Sequence, residues 1–179
     1  PTTSGSYDTS YANDWDVCIF KMTSDGTTLL FSTFIGGDGS DVGYELIIGS
    51  QGNLYVTGHT FSSDWPITSG VMNPTLDGYL DGFICKLNSG GTSLVLSTYF
   101  GGSSGDYGNG LELDGSNNIL VFGGTSSSDF PTTPGAYDRT HNGRDDGFVM
   151  KVNPSCTSIL FFTYIGGSDY DSVADHYLM

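Results

Sequence analysis

The chain has 179 residues, with 5 Lys+Arg against 20 Asp+Glu and a formal net charge of -15 at pH 7. So negative a surface repels phosphate groups, which argues against nucleic-acid partners, and no apolar run is long enough to insert into a membrane. The charge favours small cations, calcium above all, and the 13% aromatic content argues against disorder.

Ten short strands are predicted, because β-branched and aromatic runs alternate with glycine-rich turns and no segment has helical periodicity. In chain order they lie near residues 15–22, 28–35, 43–49, 53–60, 81–88, 93–101, 108–114, 118–125, 146–153 and 158–165. One further strand is predicted from Val173 to Met179.

These strands belong to a repeat of 65 residues that recurs without an insertion. A single array therefore covers residues 1–179, with copies at 1–65 and 66–130 and an incomplete copy at 131–179. A long fixed period with four strands per cycle predicts an all-β fold of β-propeller blades, each of four antiparallel strands. We name the strand positions A, B, C and D. The chain then supplies a C–D half-blade followed by two full blades, which is a partial propeller or one completed by oligomerisation.

Aspartates recur in the loops between B and C and between D and the next A, which a blade places on one face of the array. Two interpretations stay open. The carboxylates accept hydrogen bonds from amides of the glycine-rich turns, or they hold a calcium-like cation, which takes about 6–8 oxygen ligands. The candidate metal ligands are Asp16, Asp38, Asp41, Asp81, Asp106, Asp146 and Asp171.

Cysteine and glycine positions give further expectations. Cys18 and Cys85 replace Phe or Met of the other copies and are expected to be buried, whereas Cys156 replaces a turn glycine and is expected to be an exposed thiol. No disulfide framework or zinc spacing is present. The pair Gly36-Gly37, at the crossing to the next blade, predicts a positive φ or a close backbone approach.

No catalytic constellation is found, which predicts that the chain is not an enzyme. The three histidines, His59, His141 and His176, occupy different repeat positions and cannot form a repeated site. Aromatic residues of the loops either stack on sugars or cover the loop side of the blades; they are Trp15, Trp65, Tyr79 and Tyr137.

The string Lys86–Gly102, KLNSGGTSLVLSTYFGG, resembles the SBBP repeat family of bacterial β-propeller repeats. So do GNLYVTG at Gly52–Gly58 and TSSSDFPTTPGAY at Thr125–Tyr137. The resemblance implies a β-propeller, usually part of a large secreted or cell-surface protein of bacteria or archaea. It implies no reaction and carries over no site residues.

The leading functional hypothesis is a non-enzymatic extracellular or cell-surface module for structure or interaction. Its partners would be copies of itself, joined head to tail, or the rest of a longer propeller. One alternative is a calcium- or glycan-binding, lectin-like propeller. Another is a non-catalytic part of an extracellular hydrolase or lyase.

Overall fold

The computed structural model describes residues 2–12 and 14–173 and contains ten strands, which confirms all ten predicted within those residues. They are β1 (Val17–Met22), β2 (Leu29–Ile35), β3 (Asp41–Ile48), β4 (Leu54–Thr60), β5 (Asp81–Leu87), β6 (Leu94–Phe100), β7 (Asp106–Leu113), β8 (Ile119–Thr125), β9 (Asp146–Val152) and β10 (Ile159–Ile165). No helix able to cross a membrane occurs in these ranges. The strand expected at 173–179 lies, beyond Val173, outside the described residues, as does His176.

The strands form three antiparallel sheets. The first contains β1 and β2, the second β3 to β6, and the third β7 to β10, with sequence neighbours paired in each. Two four-stranded blades and one C–D half-blade therefore make up the fold, which confirms the all-β blade architecture expected from the sequence.

The long loop between strands B and C runs along the outer edge of its own blade. The amide of Thr68 donates to the carbonyl of Ser97 at 3.1 Å, and that of Tyr99 donates to the carbonyl of Asn73 at 3.2 Å. The first and third copies make equivalent bonds. The loop thereby satisfies backbone groups of strand D that would otherwise form an open edge.

Cys156 is buried, and its expected exposure is wrong. It occupies the left-handed region, with φ 49°, where the second copy has Gly91 with φ 65°. The turn therefore needs a left-handed residue, as its glycine counterparts suggested. Nevertheless the thiol packs into the hydrophobic cluster between the two full blades, and its residue is 0% exposed.

Cys18 is exposed, so its expected burial is also wrong, whereas Cys85 is buried as expected. Cys18 lies on the open face of the β1–β2 sheet. Its counterparts Phe83 and Phe148 are 0% exposed because a preceding blade covers them. The residue type is that of a position between stacked blades, but none of the described residues forms a blade over this face of the sheet.

Candidate functional site

The loops on one face of the array meet through backbone hydrogen bonds. The amide of Asp41 donates to the carbonyl of Trp15 at 2.5 Å, and the amide of Phe61 donates to that of Ser40 at 3.0 Å. The next blade repeats the pattern. We call this side the loop face; it holds the aspartates whose convergence the sequence predicted.

The aspartate that begins strand A closes the turn before it. Oδ2 of Asp41 accepts hydrogen bonds from the amide of Gly37 at 2.8 Å and from the Ser62 hydroxyl at 2.9 Å. Oδ2 of Asp106 and of Asp171 accepts from Gly102 and Gly167 in the same way, at 2.8 and 2.7 Å. These carboxylates thus accept hydrogen bonds from amides of the glycine-rich turns, as one of the two interpretations of the sequence expected.

The aspartate at the end of the B–C loop closes its own turn. Oδ2 of Asp81 accepts from the amide of Asp77 at 2.9 Å, and the corresponding atoms of Asp16 and Asp146 accept from residues four positions earlier. The Oδ1 atoms of Asp16 and Asp146 are buried and have no hydrogen-bond partner among the described residues. Each therefore points an unsatisfied oxygen into the protein.

In the first two copies, the two kinds of aspartate form pairs around the first glycine of the Gly-Gly step. A Cβ on Gly101 would lie 2.8 Å from Oδ2 of Asp106 and 2.8 Å from Oδ1 of Asp81, so these oxygens lie within twice that distance of each other. A Cβ on Gly36 would meet Oδ1 of Asp16 at 2.2 Å. Glycine is required because carboxylates fill the space of a side chain.

The expected positive φ at Gly36-Gly37 is wrong, because neither residue is among those with a positive φ. The expected close approach is present, but its partners are carboxylates rather than backbone. Beside Gly37, the place of a Cβ lies 2.3 Å from Oδ1 of Asp64.

Burial disfavours ionisation of the pair formed by Asp81 and Asp106. Asp81 and Asp106 are both 0% exposed. Desolvation, opposed by hydrogen bonds and reinforced by neighbouring carboxylates, raises the pKa of Asp81 to about 7 and that of Asp106 to about 6. Desolvation also raises the pKa of Asp41. The pair therefore retains a proton at a pH where ordinary carboxyl groups have lost theirs.

Four of the seven predicted ligands form two pairs, one in each of the first two copies. Asp38 lies apart from them; it is exposed, and its amide donates to Oδ1 of Asp64 at 2.8 Å. Within residues 2–12 and 14–173, no group of three Asp, Glu, His or Cys has an arrangement that could hold a metal ion. A cation between two paired carboxylates would thus need carbonyl or water oxygens as further ligands.

The described histidines have unlike surroundings. His59 lies between the rings of Tyr44 and Phe61, at centroid distances of 5.4 and 5.7 Å, and Nε2 of His141 lies 3.2 Å from the carbonyl oxygen of Thr125. Neither arrangement presents a nucleophile with its base.

Sequence reasoning missed Tyr44 and Phe61 as binding candidates. With Trp15 and His59 they line a groove on the loop face between the half-blade and the first full blade, which we call the aromatic groove. The informative signal was that these residues break the repeat. Of the other loop aromatics, Trp65 is a core residue, 2% exposed and stacked on Phe83 at 4.2 Å.

No protein-family model matches the chain, and no curated protein matches it either. The assignment of its motifs to the SBBP repeat family therefore stays a prediction.

Proposed function

We propose that the chain is a non-enzymatic structural and interaction module of propeller blades, on a cell surface or outside the cell. Its open sheets would pack against further blades, supplied by copies of the same chain joined head to tail. The observation that carries the proposal is the exposure, at both ends of the array, of apolar positions that are buried in its interior.

The first end is the open face of β1 and β2. Phe20 is 59% exposed, whereas its counterparts Cys85 and Met150 are 0% exposed. Cys18 on the same strand is exposed as well. Among the described strands β1 pairs only with β2, whereas β5 and β9 each also pair with a B strand. An uncovered apolar face with an unpaired strand edge is a surface that recruits another chain.

The second end of the array is the face of the final blade, β7 to β10, that points away from the preceding blade. Ile165 is 41% exposed, whereas its counterparts Ile35 and Phe100 are 0% and 1% exposed. Phe161 is 36% exposed, against 7% for its counterpart Leu96. Burial at these positions requires a following blade.

The two ends correspond to the two sides of the existing interface between blades. The rings of Phe100 and Phe148 meet across that interface. Ile165 is the counterpart of Phe100, and Cys18 is the counterpart of Phe148. The last face of one chain would therefore pack on the first face of the next. If the strand predicted at 173–179 pairs with the C–D half-blade of the next chain, each chain supplies about three blades. Two chains would then form a six-bladed ring, within the usual range of about 4–8 blades.

Light scattering on size-separated protein tests the proposal. The 179-residue chain should form dimers or filaments, whereas Phe20→Lys and Ile165→Lys should each be monomeric. Mixed together, the two variants should form a heterodimer, because each retains the end that the other lacks. Leu160→Lys is the matched control, since its position is exposed in all three copies, at 51%, 49% and 47%.

A monomeric parent chain that melts cooperatively would overturn self-assembly. It would then favour the alternative partner, additional blades of a longer propeller. Oligomers that persist in both end variants would indicate a different contact surface.

A calcium-binding role is the second candidate, because the buried Oδ1 atoms of Asp16 and Asp146 have no hydrogen-bond partner in the part of the chain that the structure describes. Calcium between paired carboxylates would satisfy such atoms and stabilise the folded state. Calcium should then raise the melting temperature of the Phe20→Lys monomer, and excess chelator should reverse the rise. An unchanged melting curve would exclude the role.

A further inference from the structure

The aromatic groove has a volume of about 510 Å³ and is open to solvent. Trp15 is 68% exposed, Tyr44 52% and Phe61 42%. The rings of Tyr44, His59 and Phe61 follow one another, with centroids 5.4 and 5.7 Å apart. Tyr79 continues the row, 6.1 Å from Phe61. A row of aromatic rings faces the solvent across a concave surface.

Blade architecture does not require these rings. The next pair of blades has Leu80, Asn109, Gly124 and Ser126 at the positions of Trp15, Tyr44, His59 and Phe61. There the ring of Tyr107 covers the equivalent of His59, since a Cβ on Gly124 would lie 2.6 Å from the Tyr107 Cε2 atom. The same blade architecture thus accepts other residues at these four positions, which leaves ligand binding as a reason for the aromatic rings.

Charge selects the class of ligand. Asp14 lines the groove, and no lysine or arginine does. Burial lowers the pKa of His59, which favours the neutral ring over one that would repel a cation. The whole chain carries a formal charge of -15. Electron-rich ring faces beside a carboxylate in a negative field attract an organic cation.

The third copy shows the same chemistry within the chain. Cζ of Arg144, the counterpart of Asp14, lies 5.5 Å from the ring centroid of Tyr170, and its Nη1 donates to the tyrosine hydroxyl at 3.0 Å. A guanidinium on an aromatic ring therefore already occurs on the loop face.

We propose that the aromatic groove binds an organic cation, an alkylammonium or guanidinium group, against Trp15, Tyr44 and Phe61 with Asp14 as the counter-charge. The cation is either a free quaternary amine or the side chain of a basic peptide. This site is independent of the blade junctions in the proposed function, and the monomeric Ile165→Lys variant serves as the parent protein for its test.

Choline and its uncharged isostere 3,3-dimethyl-1-butanol are the first probes. Ring currents should shift the methyl proton resonances of choline upfield. The fluorescence of Trp15 should change as well, and the two signals should give the same dissociation constant. The buried Trp65 should contribute little to this change. The isostere should bind at least about tenfold more weakly, because it lacks the charge that the rings attract. Equal binding of both probes would overturn the proposal.

Substitutions taken from the next repeat test the groove without new strain. Trp15→Leu, Tyr44→Asn and Phe61→Ser place residues that the fold carries at equivalent positions. Each substitution should lower the affinity for choline by about tenfold and leave the melting temperature nearly unchanged. Tyr137→Met, which introduces the counterpart Met72 at a residue that is 89% exposed, is the control and should bind as the parent does. Unchanged affinity in all three groove variants would refute the site.

A second set of probes separates the two sources of the cation. A short arginine-rich peptide and its citrulline analogue differ in charge but hardly in shape. Tighter binding of the arginine peptide than of choline would identify a basic protein segment, and the reverse would identify a free amine. Binding of neutral oligosaccharides with no response to either cation would overturn the proposal in favour of a glycan site.

Discussion

The ring of Phe100, at the end of one full blade, meets the ring of Phe148 in the next blade edge to face, with centroids 5.8 Å apart and an interplanar angle of 68°. Phe148 also stacks on Phe162 within its own sheet, at 5.5 Å. One aromatic side chain therefore joins packing within a blade to packing between blades.

Phe148→Ala should destabilise the chain by about 3–5 kcal/mol, because it removes a fully buried ring and leaves a cavity between two sheets. Melting followed by circular dichroism should show a fall of about 10 °C. Leu160→Ala, at a residue that is 47% exposed, should change the free energy of unfolding by less than about 0.5 kcal/mol. Equal effects of the two substitutions would contradict the interface.

The three free thiols should differ in reactivity. In the monomeric Ile165→Lys variant, Cys18 should react quickly with an aromatic disulfide reagent, since it is exposed. Cys85 and Cys156 should react only on unfolding, because both are 0% exposed; burial raises the pKa of both thiols, that of Cys156 to about 12. Timed labelling with mass spectrometry gives the order. In the assembled parent chain, Cys18 should become protected.

Gly101→Ala should destabilise the fold by about 2 kcal/mol or more, because the new Cβ would lie 2.8 Å from oxygens of two buried carboxyl groups. Denaturant unfolding measures the loss. Gly115→Ala is the matched control, since a Cβ there meets nothing within 4 Å. An equal loss of stability in the two variants would show that Gly101 serves backbone flexibility rather than the packing of the carboxyl groups.

Acidification from pH 8 to pH 5 should stabilise the chain through Asp81 and Asp106. Their folded pKa values of about 7 and 6 lie above the ordinary 3.8, so the folded state holds protons that the unfolded state releases. Their stabilisation is present in full below about pH 4 and is lost as the pH rises through 6 and 7. Thermal melting across this range provides the measurement.

Other groups also titrate in this range, and a variant separates them. His59 acts in the opposite direction, because burial lowers its pKa and acid therefore destabilises the fold through it. Asp81→Asn should remove the part of the stabilisation between pH 8 and pH 5 that Asp81 contributes, while leaving the Asp106 and His59 contributions in place. A melting temperature with the same pH dependence in parent and variant would show that Asp81 is ionised throughout.

The strands and their grouping could be predicted from the sequence, because runs of β-forming residues between glycine turns are a local property. The repeat shows each of these runs again in the next copy. The carboxylate pairs were foreseen only in part. Repetition indicated that Asp16 and Asp41 share a face, but the contact that joins them depends on the missing Cβ of Gly36, which no spacing rule reveals.

Burial was decided by the tertiary structure. Cys18 has the pattern of a buried strand residue and Cys156 that of an exposed turn, and both expectations failed. Exposure depends on which sheet lies opposite, and Cys18 lacks a covering blade whereas the turn at Cys156 packs between two. By itself the sequence determined the strands, the turns and the period, since backbone preference acts within a few residues. Only the stacking of sheets decided which faces stay open, because packing joins residues that lie a whole repeat apart.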